Sequence, residues 1–196
     1  MKRAVFLLLE DYADWQGAYL ASQLNQQKNW EIKTASIKQQ VTSMGGFRID
    51  VDYLIETIPK KLDLLVLIGS HSWSFKHSLL KKIVAQALEK GTPVGAICGA
   101  VDYLAKNGLL RSYYHTGNDQ ELWRAAAQYT NAPQFIKQQV VQDRNLVTAN
   151  GTAALEFTEA LLKAVAFCDE QIIERTMDLQ RMGYYAYYQT YGNPDG

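Results

Sequence analysis

The chain alternates repeatedly between short apolar runs and segments of helical character, and this alternation limits it to a small set of folds. The apolar runs cover residues 3–9, 63–68 and 93–97. The segments predicted to be helical cover residues 13–27, 75–90 and 152–167. An unbroken run of branched apolar residues suits a strand that helices cover on both faces. The pattern therefore predicts an α/β fold: a three-layer sandwich with a flavodoxin-like, mostly parallel, doubly wound sheet and helices on both faces.

Weaker signals complete this outline. Further strands are predicted at residues 30–36, 47–51, 138–142 and 145–149. Further helices are predicted from the end of the 93–97 run to about Lys106 and over residues 119–128. The 196 residues suffice for one domain, so 1–196 is interpreted as a single domain in which 169–196 form a C-terminal helix and a tyrosine-rich tail. Tyrosine combines a large apolar area with a polar tip, so we expect this tail to pack on its own domain or on a second subunit.

Composition excludes several classes of partner. The chain carries 20 Lys and Arg against 20 Asp and Glu, so its net charge of zero removes the bulk attraction to nucleic acid or to an anionic membrane. The apolar runs are far shorter than the roughly 18 residues of a membrane-spanning helix, and no secretion signal follows Lys2 and Arg3. Two cysteines cannot form a disulfide framework. These features predict a cytoplasmic protein that has neither nucleic acid nor membrane as a partner.

The doubly wound arrangement also predicts where chemistry occurs. In open α/β sheets, sites lie outside the carboxyl ends of the strands. Cys98 follows the 93–97 strand within Gly95-Ala96-Ile97-Cys98-Gly99-Ala100, and a nucleophile on a tight strand-to-helix turn needs such small neighbours. A helix N-terminus beside the sulfur would favour the thiolate. Spacing alone leaves two interpretations open, a nucleophile and a buried structural cysteine.

The turn at Cys98 is one of several short motifs that occur along most of the chain. They are Tyr12-Ala13-Asp14-Trp15, Gly69 with Trp73, Ala-Ile-Cys-Gly-Ala at 96–100, His-Thr-Gly-Asn-Asp at 115–119 and Thr-Ala-Asn-Gly-Thr at 148–152. In this order, from Lys2 to about Lys163, the chain resembles the DJ/PfpI superfamily of class I glutamine amidotransferase-like proteins. It most resembles the bacterial branch described as type 1 glutamine amidotransferase or PfpI-like protease.

The resemblance implies roles for individual residues. It implies that Cys98 is the nucleophile and that His115 lies near the thiol, and histidine is a common partner of a catalytic thiol. The alternative for His115 is a polar surface histidine in a turn. The resemblance implies backbone oxyanion donors at Gly99 and Ser70, where many relatives have Gly-Gly instead of Gly69-Ser70. It also implies a small-molecule substrate and a homodimer, to which a helix over residues 170–182 would contribute.

The chain departs from the family pattern next to the first motif. Relatives often carry a glutamate where this chain has Gln16, and an amide has neither the charge nor the basicity of a carboxylate. Asp14 could supply a substitute acid, as could Glu10 or Asp11. Acids near a helix N-terminus can equally well stabilise the helix dipole.

The remaining histidines and the second cysteine have weaker functional signals. His71 follows the 63–68 strand and could project toward Cys98 from the same edge of the sheet, or be an exposed loop residue. His77 lies in a basic helical stretch and is interpreted as a surface residue. Cys168 lies beside Asp169 and Glu170, which disfavour a thiolate, and is interpreted as structural. With no zinc-ligand spacing and no glycine-rich phosphate loop, no metal and no cofactor are expected.

Two functional hypotheses follow. The first is a cysteine-dependent small-molecule enzyme or hydrolase of the DJ/PfpI type, for which the resemblance implies glyoxalase or deglycase action, amide hydrolysis or nitrile-like hydration. Glutamine amidotransferases use a His and Glu near the chain's end, and residues 150–157 contain no His. Peptidases of the PfpI kind usually have His directly after the cysteine, where this chain has Gly99. The second hypothesis is a non-catalytic redox or stress-sensing or binding module on the same scaffold.

Overall fold

The computed structural model describes residues 1–74 and 77–194. Its strands are β1 (Lys2–Leu7), β2 (Trp30–Ser36), β3 (Gln40–Thr42), β4 (Arg48–Asp50), β5 (Tyr53–Leu54), β6 (Leu64–Leu67), β7 (Val94–Ile97), β8 (Val140–Asp143) and β9 (Leu146–Ala149). Its helices are α1 (Asp14–Asn25), α2 (Ser78–Glu89), α3 (Gly99–Lys106), α4 (Ala154–Ala164), α5 (Glu170–Met182) and α6 (Tyr184–Tyr191).

Seven of these strands form one sheet in the order β5-β2-β1-β6-β7-β9-β8. All neighbours run parallel except β8, which pairs antiparallel with β9. The strand order reverses between β1 and β6. After β1 the chain adds β2 and β5 on one side, and it then adds β6, β7, β8 and β9 on the other side. The carboxyl ends of four central strands therefore meet at one edge, with Leu7 opposite Leu67 and Ile97 opposite Ala149.

Helices cover both faces of the sheet. On one face, strand residues such as Val5 and Leu65 belong to a core cluster with Leu80 and Val84 of α2 and Val101 and Leu104 of α3. On the other face, Phe6 and Val66 belong to a second cluster with Leu20 and Leu24 of α1 and Phe157 and Leu161 of α4. Successive strand residues point to opposite faces, so one apolar run serves both clusters. The predicted α/β sandwich with a mostly parallel sheet is confirmed.

The region after α3 differs from the prediction. Residues 119–128 are expected to be helical, but in this stretch only Gln120–Trp123 forms a single 3-10 turn. The backbone then continues as further short turns, in which Ala126 N donates to Trp123 O. The indole of Trp123 is fully buried and donates to Asp102 on α3. Short turns let the chain wrap around this large side chain, and a continuous helix could not follow that path.

Two smaller differences concern the edges of elements. The predicted 47–51 strand is β4, which pairs with the unpredicted β3 in a separate two-stranded hairpin. The predicted helix 75–90 begins at Ser78 in the structure, with the His77 ring accepting from Leu80 N as its cap. Residues 75 and 76 of that prediction lie outside the described residues.

The C-terminal segment consists of two helices. Ion pairs join α5 to α4, with Arg181 contacting Glu159 and Lys163 contacting Glu174. In α6 the Tyr187 side chain is buried, whereas the other four tyrosines of that helix are 45–84% exposed. Residues 195 and 196 of the predicted tail lie outside the described residues. Every helix in the described ranges is too short or too polar to span a bilayer.

Candidate active site

Cys98 occupies the turn between β7 and α3 in a conformation that side chains rarely adopt. Its backbone has φ 60° and ψ −131°, and a residue with a Cβ pays about 1–3 kcal/mol in such a region. Its N–H donates to Ala149 O at 3.0 Å, and its carbonyl accepts from Val101 N at 2.9 Å. The side chain is partly exposed. Strain of this kind clusters at functional sites, where the surrounding structure holds it.

Two glycines allow the neighbouring loops to close around the Cys98 side chain. Gly69 follows β6, and a Cβ there would lie 2.6 Å from Cys98 Cβ. Gly151 follows β9, and a Cβ there would lie 2.9 Å from Cys98 Sγ. Real Cβ atoms do not approach heavy atoms this closely, so both positions require glycine. The thiol is therefore surrounded by backbone from two other strand ends.

Asn118 is the described residue whose side chain hydrogen-bonds the sulfur. Its Nδ2 donates to Cys98 Sγ at 3.3 Å. Its Oδ1 accepts from Gly151 N at 2.7 Å. Because the Gly151 N–H can only donate, it determines which end of the amide is oxygen and turns the NH2 group toward the sulfur.

Gln16, at the family's usual acid position, is a buried bridge between the two glycine loops. Its Oε1 accepts from Gly69 N at 3.0 Å, and its Nε2 donates to Gly151 O at 3.2 Å. The side chain is 2% exposed. One end must accept and the other must donate, which a neutral amide does at any pH. Gln16 therefore holds the walls of the thiol site without contributing charge or proton transfer.

The backbone around the sulfur offers unpaired donors at the two predicted oxyanion positions. Within residues 1–74 and 77–194, the N–H groups of Gly99 and Ser70 donate no hydrogen bond. The two residues are adjacent, because a Cβ on Gly99 would lie 2.7 Å from Ser70 O. The Ser70 hydroxyl donates to Glu10 O at 2.5 Å, and the Trp73 indole donates to Ile68 O at 2.8 Å. These bonds hold the loop after β6 in place beside the thiol.

His115 is placed differently from the prediction that it assists the thiol. The ring is fully buried in a cage of Trp123, Tyr129 and Phe135, with centroid distances of 5.6–5.9 Å. Its Nδ1 lies 2.9 Å from Tyr113 O and its Nε2 lies 2.9 Å from Tyr129 Oη. A carbonyl can only accept, so Nδ1 carries the proton and Nε2 accepts from the tyrosine hydroxyl. Both nitrogens are thus engaged away from Cys98, and burial lowers the pKa of the ring.

The structure also separates the other candidate groups from the sulfur. Asp14 accepts from Gly45 N at 2.8 Å and ties α1 to the hairpin between β3 and β4. His71 is exposed on the loop after β6, and in the described structure it makes no hydrogen bond to the Cys98 turn. Cys168 is exposed, and partial desolvation of its sulfur together with the charge of Asp169 raises its pKa. None of these residues completes a catalytic pair with Cys98 among the described contacts.

A polar cleft of about 620 Å³ lies next to Asn118, which contacts the sulfur, although Cys98 is not among the residues that line the cleft. Asn150, Phe135 and Lys137 also line it. Its wall is rich in amides, which both donate and accept hydrogen bonds. Among the described residues, no three His, Cys, Asp or Glu side chains come together as metal ligands would. The cleft therefore fits a small polar molecule in contact with Asn118.

Sequence reasoning missed Asn118 and Gly151 as site residues. Both lie in motifs that the sequence analysis singles out, His-Thr-Gly-Asn-Asp and Thr-Ala-Asn-Gly-Thr. Asn118 is easily overlooked because His115, three positions earlier in the same motif, has the more familiar catalytic chemistry. The motif as a whole indicated that this loop belongs to the site, but not which of its side chains contacts the sulfur.

Comparisons with known proteins match most of the chain. The model of the DJ-1/PfpI family matches residues 2–164. The chain is 48% identical over 194 residues to "Uncharacterized protease YdeA" of Bacillus subtilis (strain 168), covering 99% of this chain and 98% of that protein. It is 35% identical over 173 residues to "Uncharacterized protease YoaZ" of the same organism, covering 82% of each. A solved structure, the thiJ/pfpI family protein from Bacillus anthracis, has a TM-score of 0.88 at 31% identity, covering 96% of this chain and 94% of that one.

Proposed function

This chain belongs to the DJ-1/PfpI family, and from that premise we propose that it is a cysteine-dependent enzyme acting on a small carbonyl compound, with Cys98 as the nucleophile. The observation that carries the proposal is the strained turn at Cys98. It holds a partly exposed sulfur next to two unpaired backbone N–H groups and in contact with Asn118, which lines a polar cleft. A cysteine with only a packing role would need neither the strain nor the unpaired donors.

The proposed step is addition of the thiolate to a carbonyl carbon. A bond forms between Sγ and that carbon, and the π electrons of the C=O bond move to the oxygen. The N–H groups of Gly99 and Ser70 would then donate to the developing oxyanion, as in other acyl and aldehyde sites. The oxyanion takes a proton from water to give the neutral adduct.

The surroundings of the sulfur favour aldehydes over amides among the candidate substrates. Amide hydrolysis requires an acid that protonates the departing amine. In the described residues, the groups around the sulfur are the neutral amides of Gln16 and Asn118, and His115 is engaged elsewhere. Addition to an aldehyde releases no leaving group, so it can proceed with water as the proton source. Addition to an aldehyde, the first step of glyoxalase-like or deglycase-like chemistry, is therefore proposed ahead of the hydrolysis that the names of the relatives suggest.

The test is turnover of methylglyoxal, compared with hydrolysis of a fluorogenic peptide. We expect Cys98→Ala to lower kcat/KM for methylglyoxal on the order of 10³-fold or more, as loss of a nucleophile does. Cys168→Ala is the matched control and should retain wild-type rates. Peptide cleavage that depends on Cys98, without methylglyoxal turnover, would reassign the enzyme to the hydrolases.

A redox or stress-sensing role is the second candidate, and the neutral Gln16 is the observation that favours it. Without a nearby acid or base, a reactive thiol can be oxidised yet complete no catalytic cycle. Rapid formation of a sulfenic acid at Cys98 under peroxide, with no turnover of either substrate, would support the sensor.

We also propose a homodimer in the cytoplasm, in which α5 and α6 contribute to the contact. The support is the exposure of large side chains on these helices, including Ile172, Tyr185 and Tyr188 at 57%, 84% and 53%. The two free thiols fit a reducing compartment. Sedimentation of wild type and Tyr185→Lys tests the interface: a wild-type dimer that the substitution leaves intact would place the contact elsewhere.

A further inference from the structure

We propose that Asn118 is a catalytic residue that stabilises the Cys98 thiolate through its amide N–H, in place of His115, which the family resemblance puts near the thiol. The inference rests on the proposed function and deepens it. Its basis is the pair of hydrogen bonds at the Asn118 amide, 3.3 Å from Nδ2 to Sγ and 2.7 Å from Gly151 N to Oδ1.

The direction of the bond decides its chemical effect. An N–H that donates to sulfur is stronger when the sulfur carries negative charge, so it favours the thiolate over the thiol. The Asn118 amide cannot accept the thiol proton through the NH2 group that faces the sulfur. Asn118 therefore acts as a fixed donor and not as a base.

The orientation of the donor is determined before any substrate binds. Gly151 N holds the amide oxygen, and Gln16 in turn holds Gly151 O through its Nε2. A preorganised donor costs no reorganisation when charge develops on the sulfur. The same chain of bonds connects the thiol to the rigid end of β9.

Asn118 also belongs to the wall of the 620 Å³ cleft. A molecule bound in this cleft would contact Asn118, whose amide also contacts the sulfur. The residue thus lies where it can hold the thiolate in the free enzyme and contact the substrate during addition.

The experiment measures the alkylation rate of Cys98 by iodoacetamide against pH, with mass spectrometry and with Cys168 as the internal reference. Asn118→Asp keeps an oxygen for Gly151 N and puts a negative charge beside the sulfur. We expect its reactivity profile to move upward by about one pH unit or more, which is at least a tenfold loss of rate at neutral pH. Asn118→Ala removes the donor without adding charge and should lose less, about three- to tenfold.

Gln27→Glu is the charge control, because Gln27 is exposed, does not line the cleft and has no contact with the sulfur. Its profile should coincide with wild type. Thermal melting verifies that each variant is folded, and the Cys168 rate corrects for differences in reagent. A wild-type profile in both Asn118 variants would overturn the proposal, as would an equal shift in Gln27→Glu. Alkylation needs no substrate, so it tests the role of Asn118 even if the protein does not turn over methylglyoxal. The two proposals can therefore fail independently.

Discussion

The Cys98 turn and the His115 cage are predicted to form one catalytic pair, yet the structure builds them in opposite ways. Cys98 is strained, partly exposed and surrounded by backbone donors with no internal partner. His115 is fully buried, hydrogen-bonded at both ring nitrogens and enclosed by aromatic rings. A group whose bonds are satisfied within the fold contributes stability, whereas reactivity requires unsatisfied groups held in place. We therefore expect substitutions in the two regions to separate stability from thiol chemistry.

The largest effect is expected from His115→Ala. It removes a buried ring, leaves the Tyr129 hydroxyl without its acceptor and opens a cavity in the cage, which together cost about 3–4 kcal/mol of unfolding free energy. Cys98→Ala should stay within about 1 kcal/mol of wild type. Urea unfolding measures both. Where His115→Ala remains folded, Cys98 should be alkylated within about threefold of the wild-type rate, and a loss of tenfold or more would return His115 to the thiol site.

The second-largest effect is expected at Gln16, the neutral bridge between the two glycine loops. In Gln16→Glu, an ionised carboxylate would place an oxygen against Gly151 O where Nε2 now donates, at a cost of about 2 kcal/mol. Protonation restores the donor, so we expect the loss at pH 8 to shrink toward pH 5. Gln16→Met removes both hydrogen bonds at every pH and should show a loss that does not change with pH. If the unfolding free energies of the two variants change with pH in the same way, the charge at this position has no effect on stability.

A smaller effect should reveal the strain at Cys98 itself. Cys98→Gly and Cys98→Ala both remove the sulfur, but only glycine relaxes at φ 60°. Relief of strain minus the greater chain entropy of glycine should leave the glycine variant about 1 kcal/mol more stable than the alanine variant. Differential scanning calorimetry should show a melting temperature higher by about 2–4 °C. An alanine variant of equal or greater stability would mean that the turn stores no strain.

The smallest effect is a pH dependence that originates in the cage. Burial lowers the pKa of His115, so the unfolded chain takes up a proton at higher pH than the folded chain. The stability is therefore complete above the ordinary histidine value of roughly 6.5 and is lost as pH falls below it, by at most about 1.4 kcal/mol per pH unit. Unfolding curves at pH 7.5, 6.5 and 5.5 should show a steeper loss for wild type than for His115→Gln. An identical slope would exclude the ring as the titrating group.

Much of the fold follows from local sequence pattern. The apolar runs became β1, β6 and β7 because strands covered on both faces require apolar residues at every position. The position of Cys98 was predictable as well, since small residues on either side of a strand end permit a tight turn. The helix expected over 119–128 was wrong, because the burial of Trp123 against α3 overrides local helical spacing.

Local sequence pattern is sufficient to predict a parallel α/β protein with a cysteine at the end of a central strand. Which side chains reach that cysteine depends on tertiary contacts. Gln16 bonds to loops 53 and 135 residues away, and Asn118 rather than His115 reaches the sulfur because the chain after α3 wraps around Trp123. Strand and helix patterns arise from neighbours along the chain, whereas a site is assembled from strand ends that only the folded sheet brings together.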